Sequence, residues 1–185
     1  MRITDDRYTR DRLRFDLALR LIRHEARTGT IRDWTGLTDD RIRKLFRSYV
    51  EQTGDRRIRR HRGKAPRQAA YFLRNGQLRL QAASLASFLC QLGLLAQAGA
   101  DAPGGIEQLR WGERFCEAYE TFLREHSRPQ IGFEHACFLQ RALLRQRELA
   151  IDDCADCGSL VVVSAFAARP AGCCFCQELP VSLQG

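Results

Sequence analysis

Four cysteines near the end of the chain have the residue type and spacing of a metal site. Cys154-Ala155-Asp156-Cys157 is followed, after fifteen residues, by Cys173-Cys174-Phe175-Cys176. A two-residue spacer turns both sulfurs of a pair onto one ion, and two such pairs make a closed tetrahedral thiolate cage for Zn²⁺, with Zn–S about 2.3 Å. The expected ligands are Cys154, Cys157, Cys173 and Cys176. Cys174 is the spare sulfur, because Cys173 with Cys176 preserves the two-residue spacer. Four thiolates leave no open coordination position, so the ion would be structural and would perform no chemistry. Two disulfides would suit a secreted protein, but no signal-peptide pattern opens the sequence. A thioredoxin-like redox motif needs one Cys-x-x-Cys at the start of a helix, not two pairs. Between the pairs, Gly158 permits a tight turn, Leu160 to Phe166 reads as a strand, and Arg169-Pro170-Ala171-Gly172 as the turn back. A two-stranded hairpin is marginal in water, so metal would decide whether this segment folds.

The second chemical signal is positive charge. The net charge is +8, and it is unevenly spread: residues 1–80 hold 22 Lys+Arg against 10 Asp+Glu, while residues 81–185 hold 8 against 12. Lys44 and Lys64 are the only lysines. Arginine's planar fork grips phosphates and guanine edges with two hydrogen bonds, which an ammonium cannot do. A basic front of this kind suits a polyanion, and the more neutral back suits packing or assembly. No apolar run reaches the eighteen or so residues of a membrane span. Eight cysteines without a secretory signal point to reduced thiols and a cytoplasmic setting. Cys90, Cys116 and Cys137 sit singly in helical patterns and read as core residues.

Several elements must position these groups. From Arg10 to Arg27 the pattern is helical, with Leu13, Leu17, Leu21 and Ile22 on one stripe and Gly29 as the stop. Thr30 to Thr35 is a short helical piece broken at Gly36. Thr38 is a good N-cap for a further helix, Asp39 and Asp40 favour its first turn, and Ile42, Leu45, Phe46 and Tyr49 form its inner stripe. This is a helix-turn-helix layout, with Leu37 plugging the turn. The position four before Gly36, where two such helices cross, is usually small; here it is Arg32. The exposed face of the second helix would be Arg41, Arg43, Lys44, Arg47 and Ser48, within reach of base edges and phosphates in a major groove.

After Gly54-Asp55, residues 56–67 hold seven basic side chains in twelve: Arg56, Arg57, Arg59, Arg60, Arg62, Lys64 and Arg67. Gly63 and Pro66 oppose a continuous helix, so the segment reads as an extended arm that tracks phosphates or lies in a minor groove. Beyond it come a short helix over Gln68 to Phe72, a turn at Asn75-Gly76, and a long helix lined by Leu78, Leu85, Leu89, Leu92 and Ala96. A loop spans 99–105. Ile106 to His126 is the next helix, with Leu109, Cys116, Tyr119, Phe122 and Leu123 inward, and Phe133 to Leu149 the last. Trp34 and Trp111 read as core anchors. The predicted fold is mainly α: a basic helix-turn-helix-like region with its arm (1–76), a helical scaffold (77–150) and a C-terminal four-cysteine zinc ribbon (151–185).

These residues together resemble the FlhC family of flagellar transcriptional activators. The resemblance rests on Leu37-Thr38-Asp39-Asp40-Arg41-Ile42-Arg43-Lys44-Leu45-Phe46, on Ala118-Tyr119-Glu120-Thr121-Phe122-Leu123-Arg124-Glu125, and above all on the four-cysteine site. It implies zinc at Cys154, Cys157, Cys173 and Cys176, and a hetero-oligomer with a small helical FlhD-like partner. It also implies binding to double-stranded promoter DNA and activation of RNA polymerase, with no membrane involved. The chain departs from the family in its arginine block, where members carry a proline-rich segment with few charges, and slightly in the spacer between cysteine pairs.

Other function classes fit less well. A nuclease or recombinase needs clustered carboxylates for Mg²⁺ or a positioned nucleophile, whereas the acids here are scattered and the four histidines form no metal spacing. The expectation is therefore that the chain is not an enzyme. The alternative is a zinc-ribbon adaptor that binds a protein or RNA without promoter-specific activity.

Overall fold

The computed structural model describes residues 3–54, 58–59, 61, 63, 65–96, 104–167 and 173–178. In order they form α1 (Ile3–Arg23), α2 (Thr28–Thr35), α3 (Asp39–Thr53), a 3-10 helix (Ala69–Leu73), α4 (Gly76–Gln91), α5 (Gly105–Glu125), α6 (Phe133–Arg145), β1 (Leu149–Asp153), β2 (Leu160–Ser164) and α7 (Cys174–Glu178). The fold is mainly helical, with the cysteine cluster at its C-terminal end. Among the described residues no helix is long and apolar enough to cross a membrane. The chain divides into two compact units, Met1–Ala65 with Asp101–Glu117, and Pro66–Ala100 with Ala118–Gly185. Blocks drawn at 76 and 150 cut the chain differently, because α5 contributes residues to both units.

In the first unit α1, α2 and α3 pack pairwise. Leu17, Leu21 and Ile22 are buried as their helical spacing requires, and Leu13 is half-buried. The helix ends at Arg23, earlier than the sequence pattern suggests. Ala26 N–H bonds back to Leu21 O at 3.0 Å and Glu25 N–H to Ile22 O at 2.9 Å, with Glu25 in the left-handed region at φ 58°. Glycine is the usual residue there, and a side chain costs about 1–2 kcal/mol in that conformation. Gly29 is not a stop; it lies inside α2. That helix closes at Gly36, φ 69°, whose N–H bonds to Arg32 O at 2.8 Å. The first half of α5 adds Leu109, Phe115 and Cys116 to this core. Gly112 is there because space demands it: a Cβ would lie 2.6 Å from Leu17 Cδ2 and 2.9 Å from Trp34 Cε3. The Trp34 ring meets Phe115 edge-on at 4.9 Å, in keeping with its reading as an anchor.

The second unit is built on α4. Asn75, read as part of a turn with Gly76, serves as a helix cap. It is extended and caps α4, its Oδ1 accepting from Leu78 N–H at 2.8 Å. Leu78, Ala82, Leu85, Ala86 and Leu89 are buried along the helix. It stops at Gln91, so Leu92 is half-buried at its end and Ala96 is exposed beyond it. Cys90, expected in the core, is exposed on the last turn, whereas Cys116 and Cys137 are buried. Gln81 is fully buried and satisfied: it donates to Arg128 O at 3.1 Å and accepts from Gln130 N–H at 2.8 Å, holding the loop ahead of α6. The second half of α5 contributes Tyr119 and Phe122, and Tyr119 meets Phe133 of α6 edge-on at 5.1 Å.

α6 ends four residues before its expected limit, at Arg145, with Gln146 left-handed at φ 50°. Leu149 opens a strand instead. β1 pairs antiparallel with β2 in the register Leu149↔Ser164, Ile151↔Val162 and Asp153↔Leu160. Leu149, Val161 and Val162 are buried, and β2 packs on α4 and the 3-10 helix while β1 lies against α6. The hairpin is therefore tied to the helical unit at its base, leaving its tip to carry the first cysteine pair.

Candidate functional site

That tip is a tight knuckle. Cys154 follows β1, and its N–H donates to Ser159 O at 3.0 Å; Gly158 N–H donates back to Cys154 O at 2.8 Å. Gly158 takes φ 67°, so the chain reverses within the pair's own turn before β2 begins. The second pair is carried differently from the strand-and-turn expectation. Cys173 immediately precedes α7, and Cys176 lies within it. A spacing of three residues on a helical turn puts both sulfurs on one side. The proposed return turn at Arg169-Pro170-Ala171-Gly172 lies outside the described residues. The module is thus a hairpin followed by a helical turn.

The Sγ atoms of Cys154, Cys157, Cys173 and Cys176 all lie within 4.8 Å of one another. Cys154 Sγ is 3.8 Å from Cys176 Sγ, and Cys157 Sγ is 3.7 Å from Cys173 Sγ. A disulfide needs about 2.05 Å, so these are thiols gathered without being bonded. Cys173 is buried, Cys154 and Cys176 are half-buried and Cys157 is exposed. Ser159 Oγ lies 3.2 Å from Cys157 Sγ, and hydrogen bonds from the Ser159 hydroxyl and backbone N–H bring the Cys157 thiol down to about 6. Cys176 goes the other way, raised chiefly by its hydrogen bond with Cys157. Four converging soft donors could hold a metal ion. Cys174 is buried, α7 packs on α4, and burial pushes the Cys174 thiol up. It belongs to the packing side of the turn.

The chain matches no protein-family model and no curated protein.

The helix-turn-helix lies in the other unit. Thr38 caps α3, accepting from Arg41 N–H at 3.4 Å, with Asp39 and Asp40 in the first turn. Leu37 is buried beneath the turn, and the buried Thr35 hydroxyl braces it, donating to Ile31 O at 2.6 Å and accepting from Leu37 N–H at 3.2 Å. Of the stripe expected in α3, Ile42 alone is buried; Leu45, Phe46 and Tyr49 are half-covered. Arg32 does not obstruct the helix crossing. It is exposed, and Nη1 reaches Asp39 Oδ1 at 3.1 Å across the turn.

Arg41, Arg43, Lys44 and Arg47 are all exposed on α3, and Arg43 Nη1 donates to Asp40 Oδ1 at 2.7 Å. That pair is open to solvent on both sides and worth little, so a phosphate could replace the carboxylate. Of the arm, Arg59 and Arg67 are exposed, while Arg56, Arg57, Arg60, Arg62 and Lys64 lie outside the described residues. Where it is described, the arm is not loose. Glu25 Oε1 accepts from Arg59 N–H at 3.0 Å, Glu25 Oε2 lies 2.8 Å from His61 Nε2, and Arg27 Nη1 donates to Gly63 O at 2.7 Å. Sequence reasoning missed Glu25, Arg27 and Ser159. Ser159 could have been found as a hydroxyl two residues after a metal-spaced cysteine; the other two pair with residues more than thirty positions away.

Proposed function

We propose that the chain is a zinc-containing, DNA-binding transcriptional activator subunit of the FlhC type. In this reading it acts at flagellar or related promoters, in the cytoplasm, with a helical FlhD-like partner and RNA polymerase. The observation that carries it is α3: a capped helix after a three-residue turn, with one residue buried and the basic side chains Arg41, Arg43, Lys44 and Arg47 along it. A helix so lightly held on one side, and so basic on the other, has the dimensions and charge to enter a major groove.

Zinc is the ion the site suits best. For Zn–S of about 2.3 Å, the edge of a regular tetrahedron is about 3.8 Å. The two sulfur separations of 3.8 and 3.7 Å fall on that edge. An all-thiolate set excludes the hard oxygen-loving cations, and four ligands leave no position for substrate. Cys154, Cys157, Cys173 and Cys176 would hold the ion, which supplies folding energy to the hairpin and α7.

Fluorescence anisotropy of the full chain on a promoter duplex, with the helical partner supplied and RNA as competitor, tests the reading. Log affinity should fall with log salt by roughly 0.9 per phosphate neutralised, so Arg43→Ala with Lys44→Ala and Arg47→Ala should flatten that slope by roughly 2–3. An unchanged slope, or RNA competing as well as the promoter, would reject it in favour of the adaptor.

A further inference from the structure

Two helices of this chain close with the same pair of hydrogen bonds but different residues at the turn. α4 ends with Leu94 N–H to Leu89 O at 2.8 Å and Gly93 N–H to Cys90 O at 2.9 Å, with glycine at φ 69°. α1 ends with the equivalent bonds, and there the left-handed residue is Glu25. A side chain persists in that conformation where surrounding contacts hold it, and Glu25 has such contacts. Both of its carboxylate oxygens are engaged by the arm, one by the backbone N–H of Arg59 and the other by the His61 ring. Two residues on, Arg27 donates to the Gly63 carbonyl. The attachments fall at residues 59, 61 and 63. What the carboxylate holds at Arg59 is its main chain; the exposed guanidinium is left for another anion.

We infer that Glu25 is the positioning residue of the arm at Arg59 and His61, holding these two residues against the α1–α2 corner so that a duplex meets the Arg59 side chain already in place. The inference rests on the DNA-binding reading above. An acid beside a phosphate-binding segment opposes binding by its charge. Its benefit is that a segment already ordered loses less freedom on association than a loose one.

The test uses two variants of the full chain. Glu25→Gly removes both acceptors yet suits the left-handed backbone, so folding is not put at risk. Glu25→Gln removes the charge but keeps an acceptor for Arg59 N–H. Two quantities are read: amide hydrogen exchange at Arg59, and affinity for duplex DNA across a salt series. Glu25→Gly should speed exchange at Arg59 and weaken binding about tenfold at every salt, with the salt slope unchanged because the same phosphates are neutralised. Glu25→Gln should restore slow exchange and bind at least as well as wild type. Unchanged exchange in Glu25→Gly, equal or tighter binding by it, or failure of Glu25→Gln to restore protection overturns the inference. If the wild type ignores duplex at every salt, the DNA reading and the arm's role in it fall together, while exchange at Arg59 still reports whether Glu25 holds the arm.

Discussion

On the zinc reading proposed above, stripping the ion from the cysteine site should unfold the hairpin while leaving α4 and α6 folded. The perturbation is Cys176→Ser, which leaves three thiolates, or a strong chelator on the wild type. Without the ion the hairpin relies on burial of Leu149, Val161 and Val162. At about 1.5–3 kcal/mol each, these contribute roughly 5–9 kcal/mol. Ordering the two five-residue strands costs about 10–20 kcal/mol. The hairpin alone is thus short by roughly 1–15 kcal/mol, with a midpoint near ~8, and a closed zinc–thiolate site, with an apparent ~10–16 kcal/mol at neutral pH, covers that midpoint. Amide exchange reports the outcome. The ladder amides around Ile151 and Val162 should lose protection on chelation, those of Leu85 and Leu89 in α4 should keep it, and a chromogenic chelator should recover one zinc per chain. Ladder protection that survives in metal-free protein or in Cys176→Ser would refute the reasoning.

Two further outcomes follow from individual contacts. Gly112→Val should destabilise by at least ~1–3 kcal/mol in denaturant melts, because the buried Leu17 side chain and the Trp34 ring leave no room for a side chain. Gln81→Leu should cost about 1–3 kcal/mol by removing two hydrogen bonds, to Arg128 O and from Gln130 N–H, and calorimetry showing no change would argue against that brace.

What the sequence determined by itself is whatever depends on neighbours a few residues away. The Cys-x-x-Cys pairs, the Thr38 cap, the break at Gly36 and the amphipathic spacing of Leu17, Leu21 and Ile22 each act within about one turn, and each was legible. The gathering of Cys154, Cys157, Cys173 and Cys176 into one cluster was also legible, because two pairs with metal spacing are expected to share one ion. Tertiary structure decided the rest. Leu149 continues a helical pattern but pairs with Ser164, since a strand there covers Val161 and Val162 and an extended α6 would not. Asn75-Gly76 is equally a turn or a cap until Leu78 is buried and the helix must start there. Arg32 looked like an obstruction at the helix crossing until Asp39 gave it a place outside. Glu25 and Arg27 carry no local signal at all: their partners lie at positions 59, 61 and 63, and only folding brings that stretch of chain to their side chains.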